Sequence, residues 1–129
     1  MKLLLDTHTL LWHADSNPRM SATALLVDPA KELFLSMATV WEIAIKAGLG
    51  KLTLSSSYVP FMTKAISAYG VTVLPITFGD CAEYETLPFP LPKHRDPFDR
   101  LIITHAKRNN LSIVGTDVNF DAYGVRRLW

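Results

Sequence analysis

Cysteine is almost absent from the chain: Cys81 is the only one among 129 residues, so no disulfide can form within it. Such a composition is typical of a protein from a reducing compartment, where a lone cysteine packs as a small buried residue. Long apolar runs are absent too, because no segment approaches the roughly 20 residues that a membrane helix needs. The apolar start of the chain is interrupted by Asp6 too early for a signal peptide. We therefore expect a cytoplasmic protein without a membrane segment.

An excess of charge of one sign is also lacking. The formal net charge is +1, so any contact with a polyanion must come from a local basic patch. The chain has no glycine-rich phosphate loop after its first apolar run, no nucleophile elbow and no Ser-His-Asp constellation. We interpret the tryptophans as core or interface residues rather than platforms for base stacking. The histidines lack the spacing of metal ligands, and we interpret them as packing or surface residues: His8, His13, His94 and His105.

What the chain does have is an alternation of short apolar segments with longer amphipathic ones. Apolar residues make up 49% and charged residues 19%, which predicts an ordered single domain over residues 1–129. Strands are predicted at 2–5, 32–35, 71–74, 111–114 and, at the edge, 125–128. Helices are predicted at 8–14, 24–27, 37–47, 60–70, 79–86 and 97–109, with Ser21 and Ser36 as N-caps, a turn at Asn17-Pro18 and a loop at 87–94. This order predicts an α/β fold with a parallel sheet of four to five strands and helices on both faces.

Acidic residues stand where such a fold would bring them together. Asp6 directly follows the first strand and Asp117 comes shortly after the fourth, and parallel sheets bind ligands beyond the carboxyl ends of their strands. Glu42 and Asp99 lie in helices that begin near the same edge, although Glu42 is almost two turns into its helix. Carboxylates without an opposing base are typical ligands of a hard divalent cation, so we predict a site for Mg²⁺ or Mn²⁺. Without a cation, the pKa of at least one of them should rise.

Each of these acids also has a purely structural interpretation. Asp6 and Asp117 are suited to cap the turns that follow them. Glu42 has the spacing for a surface ion pair with Lys46, although the helix around it is apolar. The metal site is favoured because it explains all the acids at this edge together.

The segment around Asp96-Pro97 is a strong helix start, with Asp96 as the N-cap and Pro97 as the first helical residue. This accounts fully for Asp96 and only in part for Asp99, because Glu or Gln is the usual residue at its position. Three further aspartates are interpreted as solvated: Asp15, Asp28 and Asp80. Asp121 lies close to Asp117 in the sequence and is suited to an outer shell around it.

These motifs together resemble the PIN domain, and within it the toxin nucleases of the VapC type. The matching segments are 3–8 (LLLDTH), 36–46 ending in WEIAIK, 94–102 (HRDPFDRLI) and 116–117 (TD), in order along nearly the whole chain. The resemblance implies a three-layer α/β/α sandwich and a metal-dependent endoribonuclease that hydrolyses RNA phosphodiester bonds. The site residues that it implies are Asp6, Glu42, Asp99 and Asp117 around Mg²⁺ or Mn²⁺, Asp96 as either a further ligand or only a cap, and Thr7 and Thr116 lining the pocket.

The resemblance also implies partners, namely the RNA substrate, a second copy in a homodimer, and an antitoxin that places a basic side chain among the acids. Two alternatives stay open: a non-catalytic PIN-like module that binds RNA or protein, and a PIN nuclease of RNA processing or DNA repair. The candidates for phosphate contacts, each equally well explained as a solvated surface residue, are Lys46, Lys51, Lys93, Arg95 and Arg100.

Overall fold

The described part of the chain is built on a sheet of five parallel strands. A computed structural model describes residues 1–17 and 20–129. The strand order is β3-β2-β1-β4-β5, and every neighbouring pair is parallel. The central strand carries Leu3, Leu4 and Leu5, which are fully buried. The strands are β1 (Lys2–Leu5), β2 (Glu32–Ser36), β3 (Thr72–Leu74), β4 (Ser112–Val114) and β5 (Arg127–Leu128).

Helices cover both faces of this sheet. They are α1 (Thr7–Ala14), α2 (Thr23–Val27), α3 (Met37–Gly48), α4 (Tyr58–Ala68), α5 (Phe78–Thr86) and α6 (Pro97–Asn109), followed by a 3-10 helix at Val118–Tyr123. Successive residues of a strand point to opposite faces. Leu3 and Leu5 accordingly join one core with residues of α1, α3 and α4, whereas Leu4 joins a second core with α6. The predicted three-layer α/β/α arrangement is confirmed.

Local capping chemistry sets several helix starts. Ser36 Oγ accepts a hydrogen bond at the start of α3 (3.0 Å), and Asp96 Oδ1 accepts two at the start of α6 (2.8 and 3.2 Å), as predicted. The prediction of Ser21 as the cap of α2 is wrong, because that helix begins after Ala22 without a side-chain cap. The turn predicted at Asn17-Pro18 lies partly outside the described residues. Within residues 1–17 and 20–129, none of the helices has the length and apolar character needed to cross a membrane.

Asp80 and Cys81, at the start of α5, have environments opposite to those predicted. Asp80 is buried, and its carboxylate accepts hydrogen bonds from Thr77 N–H (2.9 Å), His105 Nε2 (3.0 Å) and Arg108 Nη1 (2.6 Å). Burial acts to raise the pKa of Asp80, but these bonds outweigh it and hold the pKa at about 2. Cys81 is exposed. The reason is the packing of α5 against α6, which faces Asp80, while the next residue points about 100° further round the helix.

Candidate active site

Asp6 lies buried at the carboxyl end of β1. Its Oδ1 accepts a hydrogen bond from Thr9 N–H at 2.7 Å and thereby caps α1. Burial raises the pKa of Asp6, against the opposing effect of the hydrogen bonds from Thr9, and the charge of Asp117 raises it further. The cap and the metal site are compatible interpretations of this residue, because the capping bond uses only one carboxylate oxygen.

Gly115 provides the space that the Asp6 carboxylate occupies. A Cβ built on residue 115 would overlap with Asp6 Oδ2 and Cγ, so no side chain fits there unless Asp6 moves. The backbone of Gly115 is itself held on both sides, since its N–H donates to Leu128 O (3.1 Å) and its carbonyl accepts from Arg127 Nη1 (3.1 Å). The position of Asp6 therefore depends on a glycine that the sequence reading did not single out.

Pairing of β1 with β4 brings the acids to one edge of the sheet. Leu5 lies opposite Val114, and Asp6 N–H donates to Val114 O at 3.2 Å. Asp6 and Asp117 consequently follow the carboxyl ends of two adjacent strands, as predicted for ligand sites of parallel sheets.

Asp99 forms a compact group of potential metal ligands with His94 and Asp117. One ligand atom from each residue lies within 4.8 Å of the others, and this is the one such group among the described residues. His94 Nε2 is 3.0 Å from Asp99 Oδ2, and Asp117 Oδ1 caps the 3-10 helix by accepting from Asn119 N–H (2.9 Å). Burial raises the pKa of Asp99 to about 6; the bond from His94 opposes this rise, and the charges of Asp96 and Asp117 add to it.

The raised pKa values of Asp6 and Asp99 agree with the expectation for metal-free carboxylates. Their largest cause is burial, and repulsion by Asp117 is a smaller contribution to both. Carboxylates whose pKa is perturbed by burial and by neighbouring charges are concentrated at functional sites. This edge of the sheet is therefore the candidate active site on electrostatic as well as geometric grounds.

Glu42 points into the protein, and both of its oxygens are hydrogen-bonded. Thr7 Oγ1 donates to Oε1 at 2.7 Å, and Lys46 Nζ donates to Oε2 at 2.7 Å. The Thr7 hydroxyl is also 3.1 Å from that of Thr39, which fixes it between α1 and α3. Glu42 is thus linked to Asp6 through the adjacent Thr7, but neither Asp6 nor Glu42 is one of the three residues of the compact group.

Lys46 connects Glu42 electrostatically with the acids of α6. The hydrogen bond to Glu42 raises the pKa of Lys46, and the charges of Asp96 and Asp99 add to this rise. Asp96 is exposed, caps α6 and acts on both Lys46 and Asp99, so it lies at the rim of the site. Thr116 is exposed next to Asp117, and its place in the pocket stays a prediction.

Arg100 is buried, so the prediction that it contacts RNA is wrong. Its Nη1 and Nη2 donate to the carbonyl oxygens of Pro88 (3.0 Å) and Leu87 (2.8 Å), and its Cζ lies 3.7 Å from the ring centre of Phe89. Although it follows Asp99 in sequence, it points about 100° further round α6 and holds the loop at 87–94. Other predicted phosphate contacts are exposed: Lys51, Lys93 and Arg95.

His94 is the site residue that sequence reasoning missed. The sequence predicts a packing or surface role for it, yet its ring lies beside Asp99. The available signal was its place in the loop that leads directly into α6, from which a side chain can fold back over the first helical turn. A search for histidine pairs on one helix does not detect this arrangement.

Asp121 and Trp41 also differ from their predicted environments. Asp121 forms a two-point ion pair with Arg127 (2.9 and 3.0 Å), so its carboxylate is engaged away from an outer shell around Asp117. Trp41 is exposed and packs edge-to-face on Phe98, with ring centres 5.3 Å apart. It is therefore not a core residue, and a role at an interface stays a prediction.

Comparison with known proteins gives matches along the whole chain. The PIN domain family matches residues 3–125, and no curated protein sequence matches. Similar solved structures include VapBC2 from Rickettsia felis bound to a promoter DNA fragment, with 16% identity, a TM-score of 0.75 and coverage of 99% of this chain and 98% of that chain. DNA-bound VapBC from Salmonella typhimurium has 17% identity, a TM-score of 0.71 and coverage of 99% and 97%. VapBC-1 from nontypeable Haemophilus influenzae has 21% identity, a TM-score of 0.69 and coverage of 99% and 97%.

Proposed function

The chain belongs to the PIN domain family, and on that premise we propose that it is a divalent-metal-dependent endoribonuclease and the toxin of a toxin–antitoxin pair. The nuclease domain spans residues 1–129 and uses Mg²⁺ or Mn²⁺. The fold that it shares with chains of the VapBC complexes supports the toxin role.

The group of carboxylates at the carboxyl edge of the sheet carries this proposal. Asp6 and Asp99 have raised pKa values, and both lie near the charge of Asp117. Keeping such carboxylates ionised costs free energy, which a bound divalent cation offsets. Carboxylate oxygens are the ligands that Mg²⁺ and Mn²⁺ prefer, so the residues present fit this cofactor.

The side chains at this edge have different proposed roles. Asp6, Asp99 and Asp117 would hold the cation, and Glu42 would complete the shell, partly through water. When bound, such a cation would supply a lowered pKa for a coordinated water and would neutralise charge on the phosphate undergoing hydrolysis. Thr7 keeps Glu42 in place through its 2.7 Å hydrogen bond.

Basic residues around the acids supply contacts for the substrate. Lys46 places an ammonium group beside Glu42 and within the field of Asp99, where a phosphate of RNA approaches. Arg95 is exposed on the loop before α6, and its Nε donates to Pro92 O at 2.9 Å, which limits its freedom. Phosphate contacts of this kind give affinity without sequence preference.

The proposed partners follow from the proposed role. A cognate antitoxin covers the site and places a basic side chain among the acids, and two copies of the chain form a homodimer. The similar structures are named as VapBC complexes, which supports the antitoxin. The proposed location is the cytoplasm, where RNA is available.

A cleavage assay tests the function directly. RNA incubated with the purified chain and Mg²⁺ or Mn²⁺ should be cut, and Asp6→Asn or Asp99→Asn should abolish cutting while the circular dichroism spectrum is unchanged. Asp15→Asn, which alters an exposed acid outside the site, should remain active. Cutting that persists in EDTA would contradict the metal dependence.

Two further outcomes of the assay favour the alternatives. Metal-independent RNA binding without products would favour a non-catalytic module. Equal or faster cleavage of DNA would favour a nuclease of DNA repair.

A further inference from the structure

A series of hydrogen-bonded side chains leads from the buried Arg100 to Asp99. Arg100 Nη1 lies 3.4 Å from the Tyr123 hydroxyl oxygen, and that oxygen lies 2.8 Å from His94 Nδ1. On the other side of the imidazole, His94 Nε2 lies 3.0 Å from Asp99 Oδ2. Arg100, Tyr123 and His94 are all buried, so bulk water does not compete for these contacts.

The chemistry of these groups determines which atom donates and which accepts in each hydrogen bond of the series. A guanidinium group can only donate, so the Tyr123 oxygen accepts from Arg100 and has its own hydrogen to give. The His94 Nδ1 atom, at 2.8 Å, is a much closer acceptor than the His94 carbonyl oxygen at 3.4 Å. If Nδ1 accepts, a neutral His94 carries its proton on Nε2. That N–H points at Asp99 Oδ2.

The charged carboxylate of Asp99 gains from a hydrogen-bond donor, because other acids lie close to it. It lies in the first turn of α6, and the charges of Asp96 and Asp117 both act on it. The ring of His94 is itself fixed, because it packs edge-to-face against Tyr123, with ring centres 5.5 Å apart. The other end of the loop that carries His94 is held by Arg100 through the carbonyl oxygens of residues 87 and 88.

We propose that His94 is a positioning residue for Asp99. Its Nε2–H holds one carboxylate oxygen, so that Asp99 presents the other oxygen to a divalent cation, and Tyr123 and Arg100 select the tautomer that donates. This inference rests on the proposed function in taking Asp99 as a metal ligand. It gives Arg100 a role in the site through two intervening side chains in place of a contact with RNA.

Two amide variants distinguish the hydrogen bond made at Nε2 of His94 from the one made at Nδ1. In His94→Gln the amide nitrogen takes the place of Nε2 and can donate to Asp99, whereas in His94→Asn it takes the place of Nδ1 and leaves Asp99 without a donor. Titration of Mn²⁺ followed by electron paramagnetic resonance measures the affinity of each variant. His94→Asn should bind Mn²⁺ about 10–100-fold more weakly than the wild type, and His94→Gln should recover most of this loss. Equal affinity in His94→Asn and the wild type would overturn the proposal.

The tautomer of His94 gives a readout that needs neither metal nor RNA. Long-range ¹⁵N–¹H correlation spectra of the metal-free protein at neutral pH should show the proton of His94 on Nε2. Tyr123→Phe keeps the aromatic ring and removes only the hydroxyl, and it should allow both tautomers and weaken Mn²⁺ binding. A proton on Nδ1 in the wild type would overturn the proposal.

The same Mn²⁺ complex distinguishes a positioning residue from a ligand. A ligated imidazole produces strong ¹⁴N coupling in electron spin echo spectra, and the wild type should lack this coupling. Its presence would make His94 a ligand and overturn the proposal. A wild type that binds Mn²⁺ with the expected dependence on His94 but cuts no RNA would contradict the proposed function alone.

Discussion

Two carboxylates in this protein each lie 3.0 Å from the Nε2 atom of a histidine, yet their pKa values are shifted in opposite directions. Asp80 pairs with His105, and its pKa is held at about 2. Asp99 pairs with His94, and its pKa is raised to about 6. A histidine neighbour therefore does not by itself determine whether the pKa of a carboxylate is raised or lowered.

The difference lies in the other groups around each carboxylate. Asp80 also accepts from Thr77 N–H and from the guanidinium of Arg108, and these donors stabilise its charge within the protein. Asp99 has no such second donor among its described contacts and instead lies near two further acids. A carboxylate saturated with donors stabilises the fold, whereas one that is short of donors is available to a cation from outside.

Asp99→Asn should change the protein most, because it removes a proposed ligand and a half-buried charge together. Mn²⁺ at about 100 times its Kd should stabilise the wild type by about 2.7 kcal/mol and the variant by little. Without metal at pH 7, the variant should be more stable by roughly 1–3 kcal/mol, since its amide oxygen still accepts from His94 but carries no charge. Urea unfolding with and without Mn²⁺ measures both effects. Equal stabilisation of the two proteins by Mn²⁺ would show that Asp99 is not a metal ligand.

Gly115→Ala should damage the same site although no acid is substituted. The new Cβ overlaps with the Asp6 carboxylate, so Asp6 must move, and Mn²⁺ affinity should fall by about 10–100-fold. Gly48→Ala is the matched control: no atom lies within 4 Å of its Cβ, and alanine in a helix should stabilise α3 by about 0.5–1 kcal/mol. Calorimetric titration with Mn²⁺ compares the two variants, and unchanged affinity in Gly115→Ala would show that Asp6 is not a ligand.

Asp80→Asn should have the opposite pattern to Asp99→Asn. Loss of the charged acceptor for Arg108 and His105 should lower the free energy of unfolding by about 1–3 kcal/mol. Mn²⁺ affinity should stay at the wild-type value, because Asp80 is not among the ligand candidates. Glu83→Gln, at an exposed position of the same helix, should leave both quantities unchanged. A loss of Mn²⁺ affinity in Asp80→Asn would mean that the two regions are coupled.

The dependence of stability on pH in the acidic range should reveal the lowered pKa of Asp80. This effect should be smaller than those of the substitutions above. The folded-state pKa of Asp80, at about 2, is below the value of about 3.9 for an unfolded chain. The stabilisation is therefore fully present above about pH 4 and is lost as the pH falls towards about 2. The stability difference between wild type and Asp80→Asn should shrink over this interval in urea unfolding. A difference that does not vary with pH would contradict the depressed pKa.

Local chemistry made the elements predictable from sequence. Leu3, Leu4 and Leu5 form a short buried strand because an apolar run stops at an acid, and Ser36 and Asp96 begin helices because their side chains can accept from free N–H groups nearby. The parallel sheet follows from the alternation of such elements. Three of the four acids proposed for the site lie near strand ends or helix starts, which is why the sequence pattern predicts that they share one edge of the sheet: Asp6, Asp99 and Asp117.

The errors concern residues whose surroundings come from distant parts of the chain. Asp80 is buried by α6, which supplies His105 and Arg108, and nothing near residue 80 in the sequence indicates this. Arg100 looks like a free cation in the run HRDPFDR, but the loop at 87–94 folds over it. His94 was missed for the same reason, since its role depends on how that loop meets α6.

The register between β1 and β4 also affects when the site forms. Thr9 Oγ1 donates to Val114 O at 2.7 Å, a contact between residues 105 positions apart, and the same pairing of β1 with β4 brings the charge of Asp117 near Asp6. Contacts so far apart in sequence form late, because closing a long loop must precede them. During translation the first acid leaves the ribosome long before the last, and the carboxylates stay apart until β4 docks. A nascent chain therefore cannot assemble the proposed cation site before nearly the whole domain has been made.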